Sequence, residues 1–258
     1  LSTINKNKPI TNKKTMKTMN QRIKLHQSQK RGFTLVELLV VIVIIASLAG
    51  LTAPMVIRQR KKADATEATS NARQIGLALF EFETEFGSYP DAATGTVAIL
   101  GDVPFQPSAT ITNAEDAFRQ LFVAGITQSE DMFFAKIDGA VKPDGNFSSA
   151  TVCLAPGENG FSYVMKDASD ALSTGGNPSR PLVVTPLLSG GNGASAVFGT
   201  NPFDGKAIYL KIDNSVSQAR ITEGSTAGEG TTTIFTTGTT GIFDADPTLK
   251  INASPTTP

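Results

Sequence analysis

The sequence is poor in the side chains that most enzymes use. It holds one histidine, one cysteine and no tryptophan among 258 residues. His26 sits within the first 32 residues, so the chain beyond Gly32 has no imidazole at all. Ser-His-Asp and Cys-His nucleophilic chemistry and the usual zinc ligand sets are thereby excluded from that part. Cys153, the lone thiol, can form neither an intrachain disulfide nor a cysteine-based metal cluster, and in its apolar setting it reads as a small core residue. Gly190-Gly191-Asn192-Gly193 lacks the Lys-Ser/Thr pair of a phosphate-binding loop and is read as a turn. Only carboxylate chemistry remains open, and the chain is not expected to be an enzyme.

Charge is unevenly distributed along the chain. Residues 1–32 carry nine Lys and Arg and no Asp or Glu, which leaves 14 basic against 23 acidic residues after Gly32. An acidic body of this kind is unsuited to binding phosphate backbones, so no nucleic acid partner is expected. The basic block instead matches the cytoplasmic flank of a membrane segment, because Lys and Arg beside an apolar run stay inside. Leu1–Gly32 shows no periodicity and reads as a basic leader. Its first residue is leucine, and Met16 or Met19 would serve as alternative starts.

A long apolar run comes after the leader. Leu35–Ile57 reads LVELLVVIVIIASLAGLTAPMVI, interrupted only by Glu37 and small polar residues. As a helix it extends about 34 Å, enough for the ~30 Å hydrocarbon core. A cleaved signal peptide with Ser47-Leu48-Ala49 at its cut is the competing reading, but such peptides have apolar cores of only about 7–15 residues. After Arg58, Arg60, Lys61 and Lys62, the residues Ala65, Ala68, Ala72, Ile75, Leu79, Phe82 and Phe86 succeed one another at steps of three and four. That spacing predicts a helix with one apolar stripe. Gly87 and Pro90 then end it. Thr34–Phe86 is therefore expected to be a single helix, greasy all round in its first half and one-sided in its second.

Beyond Pro90 the expected fold is α+β, with the long helix packed on a small antiparallel sheet. A second helix is expected over Asn113–Ala124, with Asn113 as N-cap, and a shorter helical piece over Glu130–Lys136. Strands are expected at Thr151–Leu154, Phe161–Met165, Leu182–Leu188, Lys206–Asp213, Ser217–Ile221 and Thr231–Phe235. The alternation in Lys206–Asp213 predicts a sheet with one buried face. The Gly-rich stretches Ser189–Ser195 and Gly224–Gly230 read as gaps between strands. Four regions result: a leader (1–32), a transmembrane and assembly helix (33–57), its amphipathic continuation (58–90) and a globular head (91–258).

Arg31-Gly32-Phe33-Thr34-Leu35-Val36-Glu37 with the apolar helix after it resembles the processing site of type IV prepilins and pseudopilins. The resemblance implies that a prepilin peptidase cuts after Gly32 and N-methylates Phe33. Gly32 has a physical rationale there, since a residue without Cβ lets extended backbone enter a protease cleft closely. Glu37 is costly at membrane depth, and snorkelling to the interface is its simplest use. The resemblance implies another: its carboxylate pairs with the new amino terminus on Phe33 of a neighbouring subunit and sets the axial register of a filament. Pro54 removes a backbone hydrogen bond and is expected to kink or locally melt the helix, as in filaments of this family.

Ala72–Asp91, with its Tyr89-Pro90 pair, is similar to the end of the long helix in the major pseudopilins of type II secretion. Asn201–Gly205 is weakly similar to their turn into the sheet. The implied function is a structural subunit of a secretion pseudopilus. The alternatives are a type IV pilus subunit for adhesion, motility or DNA uptake, and a membrane-anchored periplasmic enzyme or binding domain. Implied partners are the peptidase, other pilin copies or paralogues, the inner membrane and the assembly machinery, with the head in the periplasm of a bacterium. The resemblance also implies calcium in a C-terminal loop, for which Asp244 and Asp246 are the candidate ligands, although acids beside Pro247 also suit a simple turn. No other cofactor is expected.

Overall fold

The computed structural model of the chain describes residues 32–96, 105–106, 108–189, 196–221, 227–229, 232–235 and 247–250. Two compact units are distinguished, up to Ala49 and from Gly50. The first helix, α1, runs over Leu35–Phe86 and is shared by both. In the first unit every described residue up to Ala49 is exposed, with Leu35 86 % accessible. α1 continues unbroken through Pro54, so local melting is not a feature of the subunit itself. Pro54 still has no N–H to offer, and the turn before it lacks one helical hydrogen bond.

In the second unit the expected stripe of α1 is the buried one. Ala65, Ala68, Ala72, Ile75, Leu79 and Phe82 are buried, joined by Gly76 and Ala78, and Phe86 is half-buried with its ring 4.5 Å from that of Phe82. Helix α1 ends where Gly87 takes a positive φ of 84° and its N–H bonds the Glu83 carbonyl.

The second helix, α2, spans Ala114–Val123. Asn113 caps it as expected, and the Asp116 carboxylate accepts the Asn113 N–H in return, which completes a capping box. Phe118 and Phe122 reach from α2 toward Phe133 at centroid distances of 4.9 and 5.8 Å, and Tyr163 meets Phe118 edge-on at 5.8 Å. The helical piece expected over Glu130–Lys136 is a single 3₁₀ turn, Asp131–Phe133.

Strands β1 (Ser162–Met165), β2 (Pro181–Thr185), β5 (Lys206–Lys211), β6 (Val216–Ile221), β7 (Ala227–Glu229), β8 (Thr232–Thr233) and β9 (Thr248–Lys250) form one antiparallel sheet in the order β8-β7-β6-β5-β2-β1-β9. A separate pair joins β3 (Leu187–Ser189) to β4 (Val197–Phe198). The expected α+β class therefore holds, with several differences in detail. The segment Leu182–Leu188 divides into β2 and β3 around Pro186, which cannot donate to a ladder. In β5, Ala207 through Leu210 are all buried, so the central strand is covered on both faces and not on one. Gly224–Gly230 is not a gap throughout, since Ala227–Glu229 pairs with β6.

Thr151–Leu154 is a turn and not a strand. The Val152 and Cys153 N–H groups donate to the Ser149 carbonyl, Arg119 donates to the carbonyls of Cys153 (2.8 Å) and Leu154 (3.2 Å), and the Leu154 N–H donates to Glu130 Oε1 at 2.7 Å. With these bonds made, an apolar run has no need of a ladder.

Close packing against the Ala135 backbone leaves no room for a side chain at Gly160. A Cβ at Gly160 would lie 2.6 Å from the Cβ and carbonyl oxygen of Ala135 and 2.7 Å from its nitrogen. Gly160→Ala is expected to destabilise the head by about 1–3 kcal/mol, the usual range for overpacking, read as a lower urea midpoint of the detergent-solubilised chain.

Candidate assembly and processing site

Gly32, Phe33, Thr34 and Glu37 meet where α1 begins. No described atom lies within 4 Å of a Cβ built on Gly32, so no described residue demands glycine there. Phe33 is 77 % exposed. Thr34 stands before the first helical residue, and its carbonyl accepts from the Leu38 N–H at 3.2 Å. Its hydroxyl oxygen accepts the Glu37 N–H at 3.2 Å. In return Glu37 Oε2 accepts the Thr34 N–H at 2.9 Å and the Thr34 hydroxyl at 2.8 Å. Thr34 and Glu37 are thus N-cap and third residue of a capping box. The Thr-x-x-Glu spacing carried this signal in the sequence, and it gives Glu37 a local structural role beside the assembly role expected of it. Glu37 Oε1 carries no hydrogen bond among the described residues.

Pro54 lies 17 positions beyond Glu37 on the same helix and is not part of this cluster. Asp244 and Asp246, the expected calcium ligands, lie outside the described residues.

Among the described residues, the group of carboxylates close enough to share an ion is Glu130, Asp144 and Glu158, with oxygens within 4.8 Å of one another. These positions are scattered over loops, and no sequence pattern connects them. Their oxygens already have work. Glu130 accepts from Leu154 (2.7 Å) and Gly145 (2.9 Å), and Glu158 accepts from Asp144 (3.1 Å) and Ala155 (2.7 Å). Both glutamates are buried and act as staples for the irregular segment between α2 and β1. Burial pushes the Glu130 carboxyl above its ordinary value of 4.5, with Glu158 and Asp144 adding to it, while the Leu154 and Gly145 N–H groups pull the other way. Cys153 beside them is pushed up to about 12 by burial and by Glu130, so its thiol stays protonated and inert.

The segment that builds the start of α1 is a recurrent one. The model of the prokaryotic N-terminal methylation motif matches residues 27–53. A methylation motif continuous with a membrane-length apolar helix marks the type IV pilin-like class, and it fits a bacterial protein anchored in the inner membrane. Curated relatives sharpen this. The chain is 33 % identical over 93 residues to the type II secretion system core protein G of Pectobacterium carotovorum, covering 36 % of this chain and 60 % of that protein. Identity to the protein of that name from Escherichia coli K12 is also 33 % over 93 residues, covering 36 % and 64 %. For Klebsiella michiganensis it is 30 % over 97 residues, covering 38 % and 68 %. The chain belongs to the family of type II secretion system core protein G. It spans about six-tenths of the length of the first two relatives. No solved structure matches it.

The raised Glu130 group makes a signed prediction. A folded-state acid with an elevated titration point binds its proton more tightly than the unfolded chain does. Its contribution to stability is therefore full at and below 4.5 and is lost as pH rises through the folded value. Urea unfolding of the wild-type head is expected to show this loss as pH rises above 4.5, relative to Glu130→Gln, whose curve lacks that component.

Proposed function

We propose that the chain is a structural subunit of a type II secretion pseudopilus, cut after Gly32, N-methylated on Phe33 and polymerised through α1. The reading rests on one observation above all: the start of α1 presents Gly32 and Phe33 exposed, with Glu37 one turn further on in a stretch of helix whose described residues are all exposed. Gly32 answers to no packing constraint among the described residues, so a requirement for it points to an external reader, a peptidase that closes on extended backbone. Cleavage places a new amino group on Phe33. In another copy, Glu37 Oε1 is the acceptor left open for it, while Oε2 keeps its bonds to Thr34. Two charges that are costly in an apolar setting then become one compensated pair. The basic residues before Gly32 hold the N-terminal side in the cytoplasm, and the head lies on the far side of the inner membrane. The subunit acts by assembly and not by catalysis. In this reading the calcium ligands are Asp244 and Asp246, and the carboxylates of the Glu130 cluster serve the fold.

The capping role and the pairing role of Glu37 separate by substitution. Gln at this position keeps the capping box, because it accepts the same N–H, but carries no charge. Glu37→Gln is expected to yield processed, folded subunits that fail to form filaments in cells expressing the assembly machinery, as Glu37→Leu does. Mass spectrometry of the N-terminus supplies the processing readout, with N-methylated Phe33 expected in both variants. Normal filament yield from Glu37→Gln would leave Glu37 as a cap alone, and a mature chain that starts elsewhere than Phe33 would end the pseudopilin reading.

A further inference from the structure

Two stripes of like charge on α1 have no ion-pair partner among the described residues. Arg58 and Lys62 stand four residues apart, and so do Glu81 and Glu85; all four are exposed. Like charges at this spacing repel along a helix face. Neither stripe has an ion pair or side-chain hydrogen bond among the described residues, where the ion pairs are Arg119–Asp116 and Lys136–Asp64. Glu83, between the two acids, is different, because it accepts from the Thr174 N–H and hydroxyl. Lys61, between the two cations, is held by Asn201.

The stripes match each other in spacing and in what precedes them. Arg58 comes one turn after Met55, and Glu81 one turn after Leu77; Met55 is 65 % and Leu77 60 % exposed. Sliding one copy of α1 along a parallel second copy by 23 residues sets Arg58 against Glu81, Lys62 against Glu85 and Met55 beside Leu77. At 1.5 Å per residue the slide is about 35 Å. The two stripes also lie about 140° apart around the helix axis, at 100° per residue. One copy therefore gives one side of its helix and receives on another. Such a contact is heterologous, and with an axial displacement it cannot close into a ring, so it propagates as an open helical array.

We propose that the face of α1 carrying Leu77, Glu81 and Glu85 is the docking surface for the Met55–Lys62 segment of a second copy of this chain, displaced by 23 residues. The inference rests on the filament reading above and adds to it a particular neighbour and register. It places the charge pairing outside the apolar half of α1, where exposed ion pairs steer encounter and penalise wrong alignments more than they add affinity. Neighbouring offsets of a few residues bring Arg58 against Leu77 or Phe80 instead.

The test uses the full chain in cells with the assembly machinery. Lys62→Cys with Glu85→Cys is expected to give a disulfide-linked ladder of oligomers on oxidation, and either single cysteine none; Cys153 is buried and stays in place. Reversing Arg58 and Lys62 to Glu is expected to lower sedimentable filament by about tenfold or more, and adding Glu81→Lys and Glu85→Lys to restore it. Filaments that give no ladder at 62/85, or give one from Lys62→Cys with Gln74→Cys in its place, overturn the register and leave the filament reading intact. Charge reversal without effect on yield, which means that both stripes are simply hydrated, overturns it as well. Failure of the unaltered chain to form any filament overturns both.

Discussion

The fold depends on one seam, where the small and apolar side of α1 meets the head. Ala65, Ala68, Ala72 and Gly76 keep that side low, and Ile75, Leu79 and Phe82 fill the space beyond. Gly76 marks the tightest point, since a Cβ there would collide with the Asn214 side chain and press on both methyls of Leu210. A helix this long gains little from propensity alone; its placement comes from burying one face. Hydrogen bonds along the same side then fix the seam lengthwise: Lys61 to Asn201, Asn71 to the Phe134 carbonyl, and Glu83 from Thr174. The apolar first half of α1 obeys the opposite rule, being hydrophobic on every side and exposed at each of its described residues.

Legibility in the sequence depended on the range of the interactions. Periodicity within one element was readable, so the buried stripe of α1, the Asn113 cap and the strands β1, β2, β5 and β6 stood out in advance. The coverage of β5 on both faces was not readable, because its alternation describes one strand and says nothing of what arrives from elsewhere. Thr151–Leu154 has the composition of a strand, yet Arg119 and Glu130 satisfy its backbone from distant positions. The processing motif was legible because its parts are contiguous. Its capping box is just as contiguous, over Thr34–Glu37, but the cost of an acid in an apolar run is a second reason for attention to the same Glu37 and hides the first. The carboxylate staples at Glu130 and Glu158 could not be read at all, since their partners are backbone N–H groups of loops that have no pattern.

The same carboxylate of Glu37 answers two physical problems. A helix start leaves unpaired donors, and an acid at the third position satisfies one of them. An acid in an apolar environment needs a partner, and Thr34 supplies two bonds to a single oxygen. The local arrangement thus lowers the expense of keeping a charge at this depth without using up the whole group. Farther along, the Asp91, Thr94 and Gln120 side chains show the same economy. Gln120 donates to the Asp91 carbonyl while accepting from Thr94, which locks the chain just past Tyr89-Pro90.

The geometry of the seam decides how the subunit answers force. Contacts from Ala65 to Phe82 lie along the helix, so a pull applied at the far end of α1 loads them together in shear. Contacts loaded in shear give way collectively, whereas a short attachment at one end would peel open bond by bond. A head joined to its tether in this manner is a mechanical lap joint, whose strength grows with the overlap, and the small residues of α1 make that overlap tight over about five turns.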